Sequence, residues 1–343
     1  MPDIPLVGAL RRRTAPQSIR PMLPLPPGCD PKYKLSMLSR RTFLKAASVG
    51  AAGFAVAAAR RDMEDDGYTG TPVIERVTVS IPNLPRDLAS YRIGFLTDLH
   101  LGMWVPPSWI THALETIQRE RVDILLLGGD YIFVSDNPVW SATRTIRNRD
   151  YIGMTRRETA AKAFSDALRL ISQYTYPDGT YAVVGNHEHW NSIELFRQAS
   201  KEFPGVRILI NEEASVHRGV ATLNILGVDD HLTGFPMKPP PRRATPEERT
   251  RILLSHNPDY IATLLGEEMH AFDIALCGHT HGGQVCIPGL TGTIIPVQDP
   301  RFMAGLTRVE SGYVYTSRGL GVVGLPFRVN CPPEITIIEL RQV

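Results

Sequence analysis

Five apolar runs in this 343-residue chain each end in side chains that can bind a metal ion. FLTDLH closes with Asp98 and His100, LLLGGD with Asp130, and AVVGNHE with Asn186 and His187. LLSHNPD carries His256, and LCGHTHGG carries His279 and His281. The donors are imidazole, carboxylate and amide, with no thiolate, which argues against a closed structural zinc site. Such a set accepts Mn, Fe, Zn or Co, and spacing does not choose among them. Each piece alone is weak, because an Asp or Asn after a strand is usually a turn residue or a helix cap. Five such ends in one chain are far more specific than any one of them.

The preceding elements must place these ends. VIERVTVSI (73–81) alternates and is β-branched, as a strand is. YRIGFLTD reads as a second strand. VDILLLGGD is a near-continuous apolar run that stops at two glycines, the pattern of a strand buried on both faces. GTYAVVGNHE, VRILINE, ATLNILGV, RILLSHNPD and FDIALCGHTH read as further strands. SWITHALETIQRER puts Ile110, Ala113, Leu114 and Ile117 on one helical face. RRETAAKAFSDALRLISQY, NSIELFRQASKEF and YIATLLGEEM also read as helices, the second opened by an Asn or Ser cap. The tail, from GYVYTSRGLG to EITIIEL, is strand-rich, with some antiparallel pairing expected. The alternation predicts α/β layers with helices covering sheets. In open α/β sheets ligands bind outside the carboxyl ends of strands. Strands lying side by side and mostly parallel would therefore bring the five ends into one crevice. Residues 231–250 are Pro-rich and charged, and read as a loop within a single domain over 70–343.

The order DxH, GGD, GNHE, a lone His and GHTH resembles the five motif blocks of the calcineurin-like metallophosphoesterases. The resemblance runs from about Val73 to the C-terminus. It implies a four-layer α/β/β/α sandwich with a dinuclear metal site at strand C-terminal ends. Carried over by motif, Asp98, His100 and His281 hold one divalent cation, and Asn186, His256 and His279 hold the other. Asp130 bridges them. His187 is the acid or transition-state partner and not a ligand. GHTHGGQ, SRGLG (317–321) and NCPPEITIIEL look most like the bacterial branch of exported or membrane-facing phosphodiesterases. Glu188 stands where many members have Asp.

The implied chemistry is hydrolysis of a phosphodiester or pyrophosphate bond by metal-activated hydroxide. Two divalent cations about 3.5–4 Å apart neutralise and orient an anionic phosphate and lower the pKa of a water toward about 7. A carboxylate such as Asp130 has two oxygens to share between cations. An amide ligand such as Asn186 adds an oxygen without another negative charge. His187 suits protonation of the leaving alkoxide or stabilisation of phosphoryl charge. Arg318, in TSRGLG, is a candidate phosphate contact or else a structural arginine. Met103, Trp104, Val105 and Trp109 admit two readings, core packing or an apolar lip for a lipid. The substrate expectation is a phosphate ester, with a UDP-diacylglucosamine-type lipid diphosphate as one form. The rival reading is a phosphate- or lipid-binding module of the same fold without turnover.

Composition excludes little: 43% hydrophobic, 21% charged and a net charge of +2, with no basic, aromatic-interleaved stripe for nucleic acid. Cys29, Cys277, Cys286 and Cys331 show no CxxC spacing and read as small buried hydrophobes. SRRTFLK (39–45), followed by the weakly apolar run Ala46–Ala59, resembles a twin-arginine export signal over residues 37–60. It implies passage through the twin-arginine translocase to the periplasm or cell envelope, with membrane-surface contact as a further expectation. The run is too short and too weakly apolar for a permanent span. Residues 1–36, rich in Pro and Arg, read as a disordered extension or as sequence upstream of a true start at Met37.

Overall fold

The computed structural model describes residues 71–102, 104–135, 151, 153–240, 249–265, 272–286, 297–310, 312–325 and 327–343. The extension at 1–36 and the signal at 37–60 lie outside the described residues.

Two six-stranded sheets form the centre. The first runs β1 (Val73–Ile81), β14 (Glu334–Gln342), β2 (Arg92–Leu96), β4 (Ile124–Leu127), β6 (Thr180–Ala182), β7 (Val206–Ile208). The second runs β12 (Gly305–Val309), β13 (Gly312–Thr316), β11 (Ile274–Cys277), β10 (Arg249–Leu254), β9 (Ala221–Gly227), β8 (Glu212–Arg218). The strands that precede the metal-capable residues are parallel to one another within each sheet: β2, β4 and β6 in one, β10 and β11 in the other. Antiparallel pairs occur at β14–β2, β12–β13 and β8–β9. A short parallel pair, β3 (Leu101–Gly102) with β5 (Ile132–Phe133), extends the chain beyond the site.

Side-chain alternation builds the layers. In β4, Ile124 and Leu126 join Ile252, Leu254, Ile274 and Leu276 in the core between the sheets. Leu125 and Leu127 point the other way, against α1 (Pro107–Arg119), α2 (Arg156–Ser172) and α4 (Ile193–Ser200). On the second sheet Leu253, Ala275 and Cys277 face outward against α5 (Pro258–Leu264). The result is α/β/β/α, the expected architecture. Full burial of one Leu or Ile contributes about 1.5–3 kcal/mol, so both faces of these strands must stay covered. The run ILLL has no polar face because it has no solvent side.

Two local outcomes differ from the sequence reading, and a third decides between two readings. β8 (EEASVHR) was not anticipated as a strand: it is an edge strand, and only Ala214 and Val216 turn to the core. β6 stops at Ala182, and Asn186 opens a short helix, α3 (Asn186–Asn191), so Asn186 and His187 sit on a helical first turn. Trp104 and Val105 are 3% and 2% exposed in the core, and Trp109 donates its indole N–H to the Leu320 carbonyl. Core packing is therefore their role; Met103 lies outside the described residues.

Candidate metal centre

The seven ligand candidates converge at the seam between the two sheets. Asp98, Asp130 and Asn186 follow β2, β4 and β6 of the first sheet. His256, His279 and His281 follow β10 and β11 of the second. His100 lies two residues past Asp98, just before β3. Five of these residues have left-handed backbone: Asp98 (φ 53°), His100 (49°), Asp130 (56°), His279 (69°) and His281 (51°). A non-glycine residue there costs on the order of 1 kcal/mol or more, and such strain clusters at functional sites. Here it turns the chain so that side chains leaving two different sheets face one another. Close approach is also required of Gly185, where a Cβ would collide with the Asp130 carboxylate and stand 2.8 Å from the His256 ring.

Two groups of donors emerge. In one, His281 Nε2 is 3.3 Å from Asp98 Oδ1 and 3.0 Å from His100 Nε2. In the other, Asn186 Oδ1 is 3.2 Å from His256 Nε2 and 2.9 Å from His279 Nδ1. Asp130 Oδ2 lies between them, 3.2 Å from His256 Nε2 and 3.7 Å from His100 Nε2. The donor atoms of Asp98, His100 and His281, and those of Asp98, Asp130 and His256, lie within 4.8 Å of one another. His100 and His256 are fully buried, and each points its other ring nitrogen at a backbone carbonyl, Ile132 O at 3.4 Å and Gly128 O at 2.8 Å. That arrangement fixes the tautomer and leaves Nε2 free as a ligand.

The electrostatics fit a cation. Burial raises the Asp98 and Asp130 carboxyls, but neighbouring imidazoles, His281 for Asp98 and His256 for Asp130, hold both below the usual carboxylate range. Burial lowers His256, yet the Asp130 charge and hydrogen bond outweigh it and push His256 well above its usual value. A positive charge is thus already favoured among these carboxylates. Burial drives His100 down, with His187 acting in the same direction, and His279 falls to about 4 through burial and His256. Neutral imidazole is the form that offers a lone pair to a metal. Buried carboxylates and imidazoles at this density cost several kcal/mol each unless a charge compensates them. The donor set therefore fits divalent metal ions.

His187 sits beside both groups, and its ring nitrogen lies within 4.8 Å of donor atoms of His100 and Asp130, a third cluster that could hold a cation. Its Nε2 is 3.9 Å from Asp130 Oδ2, its backbone N–H donates to Asp130 Oδ1 at 2.9 Å, and its Nδ1 has no partner among the described residues. Its ring packs edge-on against His100 at 4.7 Å and against Trp190 at 5.0 Å. Glu188 accepts hydrogen bonds from the backbone N–H groups of Asp130, Tyr131 and Gly185, each at 2.8–2.9 Å. Its carboxylate ties the GGD turn to the GNHE turn, which explains why an acid stands there; burial and Asp130 push it up to about 8.

Arg318 is held elsewhere. Its guanidinium lies 3.2 Å from Glu75 and 3.0 Å from Glu334, and the residue is 8% exposed. It joins β14 to β1, away from the metal-facing donors. Arg318→Ala leaves Glu334 buried without its cation and is expected to cost about 3–5 kcal/mol. Chemical denaturation checks this, with an unchanged midpoint as the contrary result. Three features escaped the sequence reading. Asp229 and Asp230, after β9, end an apolar run just as the five motifs do, and Asp229 binds His189 Nε2 at 2.8 Å. Asp230 Oδ1 is buried without a partner among the described residues. Arg328 reaches His281 Nδ1 at 3.2 Å, and nothing local in GLPFRVN signalled it. Cys277, Cys286 and Cys331 are buried, as expected.

An open set of imidazole, carboxylate and amide donors at the strand ends of an α/β/β/α sandwich defines a metallohydrolase. The profile of the calcineurin-like phosphoesterases matches residues 91–283. Phosphodiesterase YaeI of Escherichia coli (strain K12) is 32% identical over 308 residues, covering 89% of this chain and 100% of that protein. The uncharacterized metallophosphoesterase YkuE of Bacillus subtilis (strain 168) is 25% identical over 318 residues, with 90% and 99% covered. The uncharacterized metallophosphoesterase Cj0846 of Campylobacter jejuni is 27% identical over 278 residues; the match spans 79% of this chain and 64% of that protein. This chain belongs to the calcineurin-like phosphoesterase family and is a metal-dependent hydrolase of phosphoric esters.

Proposed function

We propose that the protein is an exported dinuclear phosphodiesterase, cleaving a phosphodiester or pyrophosphate bond. The observation that carries the proposal is the position of Asp130 between two donor groups, each of which draws side chains from both sheets. Asp98, His100 and His281 would hold one divalent cation, Asn186, His256 and His279 the other, and Asp130 both. Bound there, such cations neutralise phosphate and bring the pKa of a water from about 15.7 toward about 7. His187, with Nε2 on the Asp130 side, gives a proton from that atom to the leaving alkoxide. Asn191 steadies it by donating to the His187 carbonyl at 2.9 Å.

Mn, Fe, Zn and Co all remain compatible with these donors. The test is hydrolysis of bis(p-nitrophenyl) phosphate by chelator-stripped protein before and after manganese. Activity at background, restored on addition, is expected. Protein that carries two metals yet leaves the diester intact would favour a binding module of the same fold.

A lipid-linked phosphate ester, such as a UDP-diacylglucosamine-type diphosphate, is the substrate form we favour. Its support is an exposed apolar rim: Trp190 (53%), Leu232 (56%), Phe235 (86%) and Met237 (65%). Trp190 touches His187, and the loop bearing the other three is fastened beside it through the His189–Asp229 pair and the Phe235 N–H to Asp229 bond of 3.0 Å. Contact with a membrane surface belongs to the same proposal. Export by the twin-arginine translocase rests on SRRTFLK alone. Replacing Arg40 and Arg41 by Lys is expected to retain the protein in the cytoplasm on cell fractionation. Unchanged release to the envelope would contradict that route.

A further inference from the structure

Behind the metal-facing edge of His281 lies a guanidinium that no motif marks. Arg328 is half-buried in the segment between β13 and β14. Its Nη2 stands 3.2 Å from His281 Nδ1, a packing contact and not a hydrogen bond when Nδ1 carries the ring proton, while His281 Nε2 faces Asp98 Oδ1 at 3.3 Å. Its Nη1 donates to the His281 carbonyl at 3.1 Å. Nη2 donates among the carbonyls of Arg318, Gly319 and Gly321, at 2.7, 3.1 and 2.6 Å.

This second loop supports Asp98. Gly321 N–H donates to the Asp98 carbonyl at 2.7 Å, and Leu320 N–H to the Thr97 carbonyl at 3.1 Å. Gly319, with φ 72°, lies so close that a Cβ there would stand 2.7 Å from the Asp98 Cβ. One cation therefore fastens the chain on both sides of the Asp98–His281 contact.

The need for such a fastening follows from the backbone. His281, Gly282 and Gly283 are all left-handed, at φ 51°, 60° and 86°. The bonds within the turn are short-range, the His281 carbonyl accepting the Gln284 N–H at 3.0 Å and keeping capacity for side-chain donors. Arg328 supplies one, and the Cys331 thiol donates to the same His281 carbonyl at 3.1 Å. A planar guanidinium offers five donors in a fixed fork and can span two loops; an ammonium cannot.

We propose that Arg328 is the positioning residue for one half of the metal centre, setting Asp98 and His281 at the separation that grips one cation. In the Asn186–His256–His279 half, His256 is supported by Gly128 O and Asn186 by the α3 turn that Glu188 anchors, while His279 shares the turn of His281 and donates its N–H to Asp98 at 3.0 Å. The inference rests on the dinuclear reading above. It makes the two cation positions unequal in their dependence on Arg328.

The experiment is manganese titration of the metal-stripped full chain with Arg328→Ala and Arg328→Lys. Bound metal per chain, Mn(II) electron paramagnetic resonance and diester hydrolysis are read together. Wild type is expected to bind two ions and show the signal of a coupled pair. Arg328→Ala is expected to bind one ion tightly, show the six-line signal of an isolated ion, and require 10–100-fold more manganese for the second, the range for removing a partner of a metal ligand. Arg328→Lys, which keeps the charge and loses the fork, is expected to fall between them. General loosening of the fold would weaken both ions together, so equal loss overturns the inference. So does a second-ion affinity within twofold of wild type in either variant. Should Arg328→Ala fail to fold, Arg328→Lys decides by the same criterion. A wild type that saturates at one ion would instead sink the dinuclear reading, whatever the variants do.

Discussion

Asp130→Ala is expected to strip metal from the protein and reduce diester hydrolysis to background. Asp130 is the one donor within 4 Å of imidazoles from both groups, 3.2 Å from His256 and 3.7 Å from His100. Its loss removes a ligand from each proposed cation and leaves His256 without the negative charge that most favours its positive state. A catalytic metal supplies several kcal/mol of transition-state stabilisation, and each 1.36 kcal/mol is tenfold in rate. A loss of roughly 10³-fold or more follows. Metal analysis of the purified variant beside the rate decides the point. Two ions retained per chain would show that Asp130 does not bridge. The variant also loses the bond from the His187 N–H, so the start of α3 is expected to loosen as well.

His187→Ala is expected to behave differently: metal retained, rate reduced by about 10²–10⁴-fold, the usual range for a positioned acid. His187 Nε2 lies 3.9 Å from Asp130, the longest of the imidazole distances to that carboxylate, against 3.2 Å for His256 and 3.7 Å for His100. Its side chain is 5% exposed between Phe133 and Trp190, so truncation also opens space there. His187→Gln, which fills more of that space without an acid of comparable pKa, separates packing from proton transfer. Equal rate loss in both variants with metal intact supports the acid. Metal loss matching Asp130→Ala would make His187 a ligand and undo the division of roles.

The metal-capable residues could be found before any fold was known because their signal is local. An apolar run needs a partner on each face, and a polar donor at its end has no packing reason to be histidine. Periodicity likewise revealed α1, α2 and β4, since each records in its own spacing which side is buried. The same rule applied to ATLNILGVDD would have exposed Asp229 and Asp230. Polar edge strand β8 was missed because two buried residues in seven make little pattern. Arg318 and Arg328 stand ten residues apart in chemically similar surroundings, and no spacing tells them apart. One meets Glu75 and Glu334, the other His281.

What the sequence by itself determined was therefore the chemistry available and the layer each strand enters: donors are residue types, and burial leaves a period. What tertiary structure alone decided was the partition. The five ends do not line one sheet. Three come from the first sheet and two from the second, and β14, last in the chain, enters between β1 and β2. Strand pairing is a contact between residues up to 261 positions apart, as in Val73 with Glu334, and leaves no mark on local spacing. The left-handed turns at Asp98, His100, Asp130, His279 and His281 are of the same kind. Each is unfavourable alone and persists only because the packed sheets and the loops behind them over-determine it.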